Sequence, residues 1–105
     1  MPYNSYNAAK KMQEDLKEEI TDLLDSLSDN ENLEIIVGGC PANFVLDGIG
    51  YSGPDLLLFY GICGTGEVRI MQHVSQLNVC LKIVDRKNID DPRPEIDFFD
   101  DPKVE

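Results

Sequence analysis

Apolar residues recur every three or four positions in the first part of the chain, which predicts an amphipathic helix over residues 5–28. Asn4 or Ser5 is placed to cap its first turn. The second half of the helix also fits a heptad seam for about one and a half repeats. Two interpretations stay open: a helix packed on its own sheet, or one that also pairs with a second subunit. The residues on the shared stripe are Ala9, Met12, Leu16, Ile20, Leu23 and Leu27.

Four segments rich in β-branched and aromatic residues follow, and turns containing glycine or proline separate them. They predict strands at residues 33–37, 44–49, 55–60 and 67–73. Because the connections are short, antiparallel neighbours are expected. The third strand reads Leu-Leu-Leu-Phe-Tyr without alternation, so both of its faces should be covered. The helix would cover one face, and a second layer, a partner subunit or a ligand would cover the other.

The region after residue 73 fits two periods, because its apolar positions match a helix and a strand equally well. We predict a helix over residues 75–87, since Ser75 can cap it and Arg86 and Lys87 give it a basic last turn. The predicted fold class is therefore α+β. A single domain of residues 1–87 would hold an N-terminal helix, a four-stranded antiparallel sheet and a second helix.

The last part of the chain, residues 88–105, holds three prolines and seven acidic residues. This composition predicts an acidic tail that is disordered or loosely draped over the domain, because few apolar groups are present to offset the entropy of ordering. Phe98 and Phe99 leave two alternatives open. They either pack back onto the domain or form a short docking motif.

Charge changes the picture of possible partners. The net charge is −11, and the middle of the chain is nearly neutral while both flanks are acidic. An acidic chain is disfavoured for binding nucleic-acid phosphates, which need a basic face. No apolar run of about 18 residues predicts a membrane span, and no secretory pattern opens the chain. Three widely spaced cysteines indicate reduced thiols and a cytoplasmic protein.

The recognisable motifs predict neither a cofactor nor a metal. Residues 48–53 match G-x-G-x-x-G, but Pro54 and an apolar strand follow, so a turn is predicted rather than a dinucleotide site. The four possible zinc ligands lack the local C-x₂-C spacing of a structural site. No signature of a catalytic triad or nucleophile elbow is present, so catalytic residues are predicted to be none. The possible zinc ligands are Cys40, Cys63, Cys80 and His73.

The best candidate for ligand binding is the fourth strand, where alternation puts Arg69, Met71 and His73 on one face. A planar guanidinium beside tyrosine rings suits a phosphate or a nucleobase. Neutral side chains would supply the remaining hydrogen bonds. The alternative for His73 is a half-buried histidine bonded to a neighbour. The predicted ligand-binding residues are Arg69, His73, Tyr51, Tyr60, Gln72 and Asn43, with Gln76 and Asn78 as further donors.

Residues 47–81 carry a set of short landmarks: Gly50-Tyr51, Pro54-Asp55-Leu56, Phe59-Tyr60-Gly61 and Gln72-His73-Val74-Ser75-Gln76-Leu77. This third of the chain resembles a family of small uncharacterised proteins from phages, prophages and bacteria. The resemblance implies a viral or mobile-element setting. Small proteins in that setting often counter host defence, some as oligomeric sponges for nucleotide-derived signals and others by binding a host protein.

These observations favour one function and leave two others open. The favoured function is non-catalytic sequestration of a nucleotide-like small molecule by a homo-oligomer. The alternative is an acidic inhibitor that binds a host protein, with its flanks mimicking nucleic acid or filling a basic groove. The third is a small hydrolase that uses His73. Neither nucleic acid nor a membrane is predicted as a partner.

Overall fold

The computed structural model describes residues 7–88 and 90–99 of the chain. The predicted N-terminal helix is present as α1 (Ala8–Ser26). Asn7 caps it, because its side chain accepts a hydrogen bond of 2.8 Å from the backbone N–H of Lys10. The helix ends before Leu27, whose backbone is extended. The caps predicted at residues 4 and 5 lie outside the described residues. This helix is not long and apolar enough to cross a membrane.

The strands form two sheets rather than one. Within the part of the chain that the structure describes, β1 (Glu31–Val37) pairs only with β5 (Val79–Asp85), and this pairing is antiparallel. The second sheet has the order β4-β3-β2-β6, and β6 runs parallel to β2. The α+β class is confirmed by the helix and the antiparallel strands, but the prediction of one four-stranded sheet is wrong. The remaining strands are β2 (Phe44–Ser52), β3 (Leu56–Cys63), β4 (Gly66–His73) and β6 (Asp97–Phe98).

The predicted second helix over residues 75–87 is wrong. A single 3₁₀ turn, Val74–Gln76, leads directly into β5. The strand period prevails because it places Leu81 opposite Ile35, and Val79 opposite Val37, on the apolar face of β1. Ser75 does not cap a helix here, since its N–H donates to the ring of His73.

The core lies between α1 and the inner face of both sheets. Its most deeply buried large side chains are Phe59, Ile49, Leu57 and Val37. The apolar run of β3 is explained by two covered faces. Leu57 and Phe59 belong to this core, whereas Tyr60 points to the outer face and is only 4 % exposed. Phe99 packs its edge against Tyr60 with ring centroids 5.6 Å apart. The outer face of β3 was expected to be covered by a second layer, a partner subunit or a ligand. At Tyr60, it is covered by Phe99 of the same chain.

The prediction of a disordered tail is wrong for residues 90–99, which we call the C-terminal segment. The N–H of Phe99 donates to the carbonyl of Ile49 at 3.0 Å. The buried amide of Gln13 donates to the carbonyls of both Phe99 and Ile49, at 2.7 and 2.8 Å. One helix side chain thus fixes the C-terminal segment to β2. The remaining tail positions, 89 and 100–105, lie outside the described residues.

Two arginines hold the earlier part of the C-terminal segment. Arg86 donates to the carbonyl of Asp91 from two guanidinium nitrogens, at 3.1 and 2.7 Å. Arg93 donates to the carbonyls of Ser28 and Glu31, at 2.7 and 3.1 Å. Disorder was predicted from the high content of charged residues and prolines. Composition alone does not show that charged side chains such as these arginines can donate hydrogen bonds to backbone carbonyls and so hold the segment in place.

Candidate functional site

The six predicted ligand-binding residues do not form one site. Arg69 pairs with Tyr60, and His73 pairs with Leu56, on the outer face of the four-stranded sheet. Tyr51 and Gln72 have the opposite parity and point to the inner side. The remaining residue, Asn43, lies exposed in the loop before β2, outside any strand.

Three of these residues have a role in the fold itself. Tyr51 is buried in the core cluster and pairs with Leu57. The Gln72 amide donates to the carbonyl of Gly38 at 3.1 Å, and its oxygen accepts from the N–H of Asn78 at 2.9 Å. This amide therefore ties β4 to the loops beside it. Asn43 adopts a positive φ of 65°, a conformation that asparagine tolerates better than most residues.

Arg69 and Tyr60 are in contact, but their surroundings do not favour a phosphate. The guanidinium carbon lies 5.5 Å from the centre of the tyrosine ring. The depression beside them measures only about 90 Å³, and Asp47 and Glu67 line it. Those two carboxylates would repel an anionic group placed next to Arg69.

His73 caps the 3₁₀ turn. Its Nδ1 accepts from the N–H of Ser75 at 3.1 Å and lies 2.9 Å from the Ser75 hydroxyl. The Cys63 thiol contacts the carbonyl of Ala42, 3.2 Å away, instead of the imidazole. The bonding of His73 to a neighbour matches the alternative that the sequence left open, although the side chain is exposed.

One cavity that the structure shows was not predicted from the sequence. It lies between β1, the first half of β2 and the C-terminal segment, and measures about 400 Å³. We call it the inter-sheet groove. The groove forms because β1 pairs with β5 instead of joining the four-stranded sheet, which leaves a gap between the two sheets. Because a helix was predicted over residues 75–87 in place of β5, this gap was not expected. Its lining residues are Leu33, Glu34, Ile35, Phe44, Val45, Leu46, Asp47, Pro92, Arg93, Pro94, Glu95 and Ile96.

The edge of β1 that faces away from β5 has no strand partner among the described residues. Backbone hydrogen bonds from Gly38 to Asn78 and from Arg86 to Asn30 show that the backbone N–H and carbonyl groups of even-numbered residues of β1 point toward β5. The backbone N–H and carbonyl groups of odd-numbered residues therefore point toward the other edge of the strand. The carbonyl of Glu31 accepts from Arg93 there, and the N–H of Leu33 donates to the side chain of Asn32.

By the same alternation, the N–H and the carbonyl of Ile35 face this edge as well. Ile35 itself lines the groove. The near half of β2, residues 44–47, likewise has β3 on one side and no described strand on the other, since β6 pairs only with Gly48 and Ile49. The inter-sheet groove is thus bordered by two strand edges with unpaired stretches.

Acidic side chains dominate the charge around the groove. Glu34, Asp47 and Glu95 are exposed and line it. Among the described residues, the single basic residue of the lining is Arg93, whose guanidinium already donates to two backbone carbonyls. Its Nε is buried and has no hydrogen-bond partner in this part of the chain. The groove therefore combines apolar walls with an acidic rim.

No protein-family model, no curated protein and no solved structure matches the chain. The resemblance of residues 47–81 to small phage and bacterial proteins therefore stays a prediction. Within residues 7–88 and 90–99, no group of three His, Cys, Asp or Glu side chains is arranged to hold a metal ion.

Proposed function

We propose that this chain is a non-catalytic binding module whose ligand occupies the inter-sheet groove. The observation that carries the proposal is the groove itself, with a volume of about 400 Å³ and apolar walls from two sheets. Ligand sites are typically concave, mostly apolar and a few hundred cubic ångströms in volume. The polar groups around this one are concentrated at the rim.

The acidic rim selects among the functions that the sequence suggested. Glu34, Asp47 and Glu95 would repel the phosphates of a nucleotide and attract a cationic group. The groove therefore supports the alternative, an acidic protein that binds another protein, better than nucleotide sequestration. A host protein of a phage or mobile element, met in the cytoplasm, remains the proposed setting for such a partner.

A fragment screen tests whether the groove binds ligands at all. We expect neutral and cationic aromatic fragments to shift the backbone amide signals of Leu33, Ile35 and Leu46 in heteronuclear NMR spectra. Anionic fragments should bind more weakly, because the rim is acidic. If the fragments that bind shift only signals distant from the groove, or if none binds at millimolar concentration, the proposal is wrong.

A pair of tryptophan substitutions supplies the control. Val45 lines the groove, whereas Ile62 lies directly opposite it on β3 and outside the groove. Both side chains are exposed, at 59 % and 43 %. Val45→Trp should therefore reduce fragment binding, and Ile62→Trp should leave it unchanged.

A second candidate function is the predicted sequestration of a nucleotide-like molecule by a homo-oligomer. What supports it is the exposed row of Arg69, Met71 and His73 on one face of β4. Met71 is 68 % exposed, so a second subunit covering it would bury apolar area and could complete a pocket around Arg69 and His73.

Calorimetry with cyclic dinucleotides and ADP-ribose checks the second candidate. If a phosphate binds at this face, Arg69→Ala should weaken binding ten- to a hundredfold, or about 1.5–3 kcal/mol, because a charged hydrogen bond is lost. His73→Ala should weaken it less. Light scattering should give a mass above the 11.8 kDa of one chain. Equal binding by Arg69→Ala, or a monomer at tens of micromolar, would rule this candidate out.

A further inference from the structure

We infer that the ligand of the inter-sheet groove is an extended peptide of alternating apolar and basic residues, bound by strand addition to the open edge of β1. This inference rests on the proposed function, which places a ligand in the groove. It goes further by naming the class of ligand and the contacts by which the protein recognises it. Three features carry it: the strand edges, the alternation of the walls and the charge of the rim.

The strand edges supply directional hydrogen bonds. The N–H and the carbonyl of Ile35, and the carbonyl of Leu33, face the groove rather than β5, from the alternation described above. A backbone that runs along this edge can donate to and accept from these groups in the manner of one more strand. An open strand edge is a template for such pairing, whatever the side chains of the added strand.

The C-terminal segment does not provide this missing strand. It pairs with β2 only through β6, next to Gly48 and Ile49. Upstream of β6 it contains Pro92 and Pro94, which have no N–H to donate to a ladder. The segment instead forms one wall of the groove. The chain thus brings its own backbone beside β1 without completing the sheet.

Alternation of the walls sets the side-chain pattern of the peptide. Leu33 and Ile35 point to the inner face of β1, and Glu34 points to the opposite face. On β2, Phe44 and Leu46 pack with the core, whereas Val45 is exposed on the outer face. An added strand would present every second side chain to the apolar inner side and the others to the acidic outer side.

Charge identifies the second set as basic. Glu34, Asp47 and Glu95 are the exposed charged groups of the lining, and the whole chain carries −11. Lysine or arginine between the apolar positions would place cations beside these carboxylates. A second copy of this chain would bring another −11 to the same place, which disfavours self-association through the groove.

The test uses a defined probe, an acetylated and amidated hexapeptide of alternating lysine and valine. Three reference peptides isolate the features: glutamate in place of lysine, the same composition with three lysines before three valines, and N-methylation of alternate residues. We expect the alternating lysine peptide to bind best and to shift the amide signals of Ile35 and its neighbours. N-methylation on the residues that face β1 should weaken binding at least about tenfold, because it removes the peptide's donors.

A pair of proline substitutions tests the edge of β1 directly. Ile35 and Leu81 are cross-strand partners, and neither N–H takes part in the β1–β5 ladder. Proline is tolerated at such outward positions of edge strands. Ile35→Pro removes an N–H that faces the groove, and Leu81→Pro removes the equivalent N–H on the far edge of β5. Affinity should fall about tenfold in the first variant and stay within about twofold in the second.

The possible outcomes separate this inference from the proposed function. If fragments bind in the groove but the glutamate, block or N-methylated peptides bind as well as the alternating lysine peptide, the groove is a ligand site and strand addition is wrong. Equal loss in Ile35→Pro and Leu81→Pro also contradicts it. If Val45→Trp affects neither fragments nor peptides, both proposals fall. Should Ile35→Pro not fold, the N-methylated peptide still decides, because it leaves the protein unchanged.

Discussion

Truncation of the chain after Ile96 is expected to lower the free energy of unfolding by about 3–5 kcal/mol, a large part of the stability of a domain this size. The deletion removes Phe98 and Phe99, of which the latter covers Tyr60. It also removes the Phe99 carbonyl that accepts from the buried amide of Gln13. The melting temperature should fall by about 15 °C. Urea unfolding and calorimetric melting of the two chain lengths measure the effect.

Two point variants show whether the contacts, rather than the shorter chain, cause the loss. Phe99→Ala keeps the backbone and should still cost about 2–4 kcal/mol, because it uncovers Tyr60 and empties the space above Gly48. Ile83→Ala removes an apolar side chain that is already exposed on β5 and should cost less than about 1 kcal/mol. A truncated chain that melts within a few degrees of the full one would mean that residues 97–99 do not hold the sheet.

The sequence predicted local elements where one period dominated. The stripe of α1 repeats at three and four positions with no competing pattern, and the structure confirms the helix from Ala8 onward. The non-alternating run of β3 correctly indicated that both faces are covered. The prediction for residues 79–85 was wrong because their apolar spacing fits both a helix and a strand. The choice is made by the register with β1, a long-range contact that a local pattern does not contain.

The candidate site was predictable only in part, and for the same reason. Alternation along β4 correctly placed Arg69 and His73 on one face, because both residues lie on one strand. It did not place Tyr51, because the second strand was predicted to end at residue 49 and a turn was predicted at residues 48–53, whereas β2 runs to Ser52 and Tyr51 lies in the core. A strand bulge between Leu46 and Gly48 also shifts the register of β2 against β3. The inter-sheet groove exists because β5 pairs with β1. It was not predicted, because residues 75–87 were assigned to a helix instead of to this strand.

Gly61 shows how a residue assigned to a turn from the sequence can determine this register. It lies inside β3, opposite Leu46 and next to the bulge. A Cβ added there would press against the carbonyl oxygen of Val45 and lie 2.6 Å from two ring atoms of Phe44. The carbonyl belongs to the backbone of β2, so it cannot move away without disturbing the pairing of β2 with β3. Only a residue without a Cβ therefore fits at this position.

Gly61→Ala is accordingly expected to lower the free energy of unfolding by about 3 kcal/mol, at the upper end for overpacking a buried site. Gly66→Ala is the matched control in the same hairpin, since its added Cβ would meet only the Cys63 carbonyl at 3.6 Å, an ordinary contact. That variant should be unchanged or more stable by up to about 1 kcal/mol, because alanine restricts the unfolded chain. Urea unfolding of both proteins measures the difference. If both tolerate alanine equally, β2 and β3 are not packed as closely at Gly61 as the structure requires.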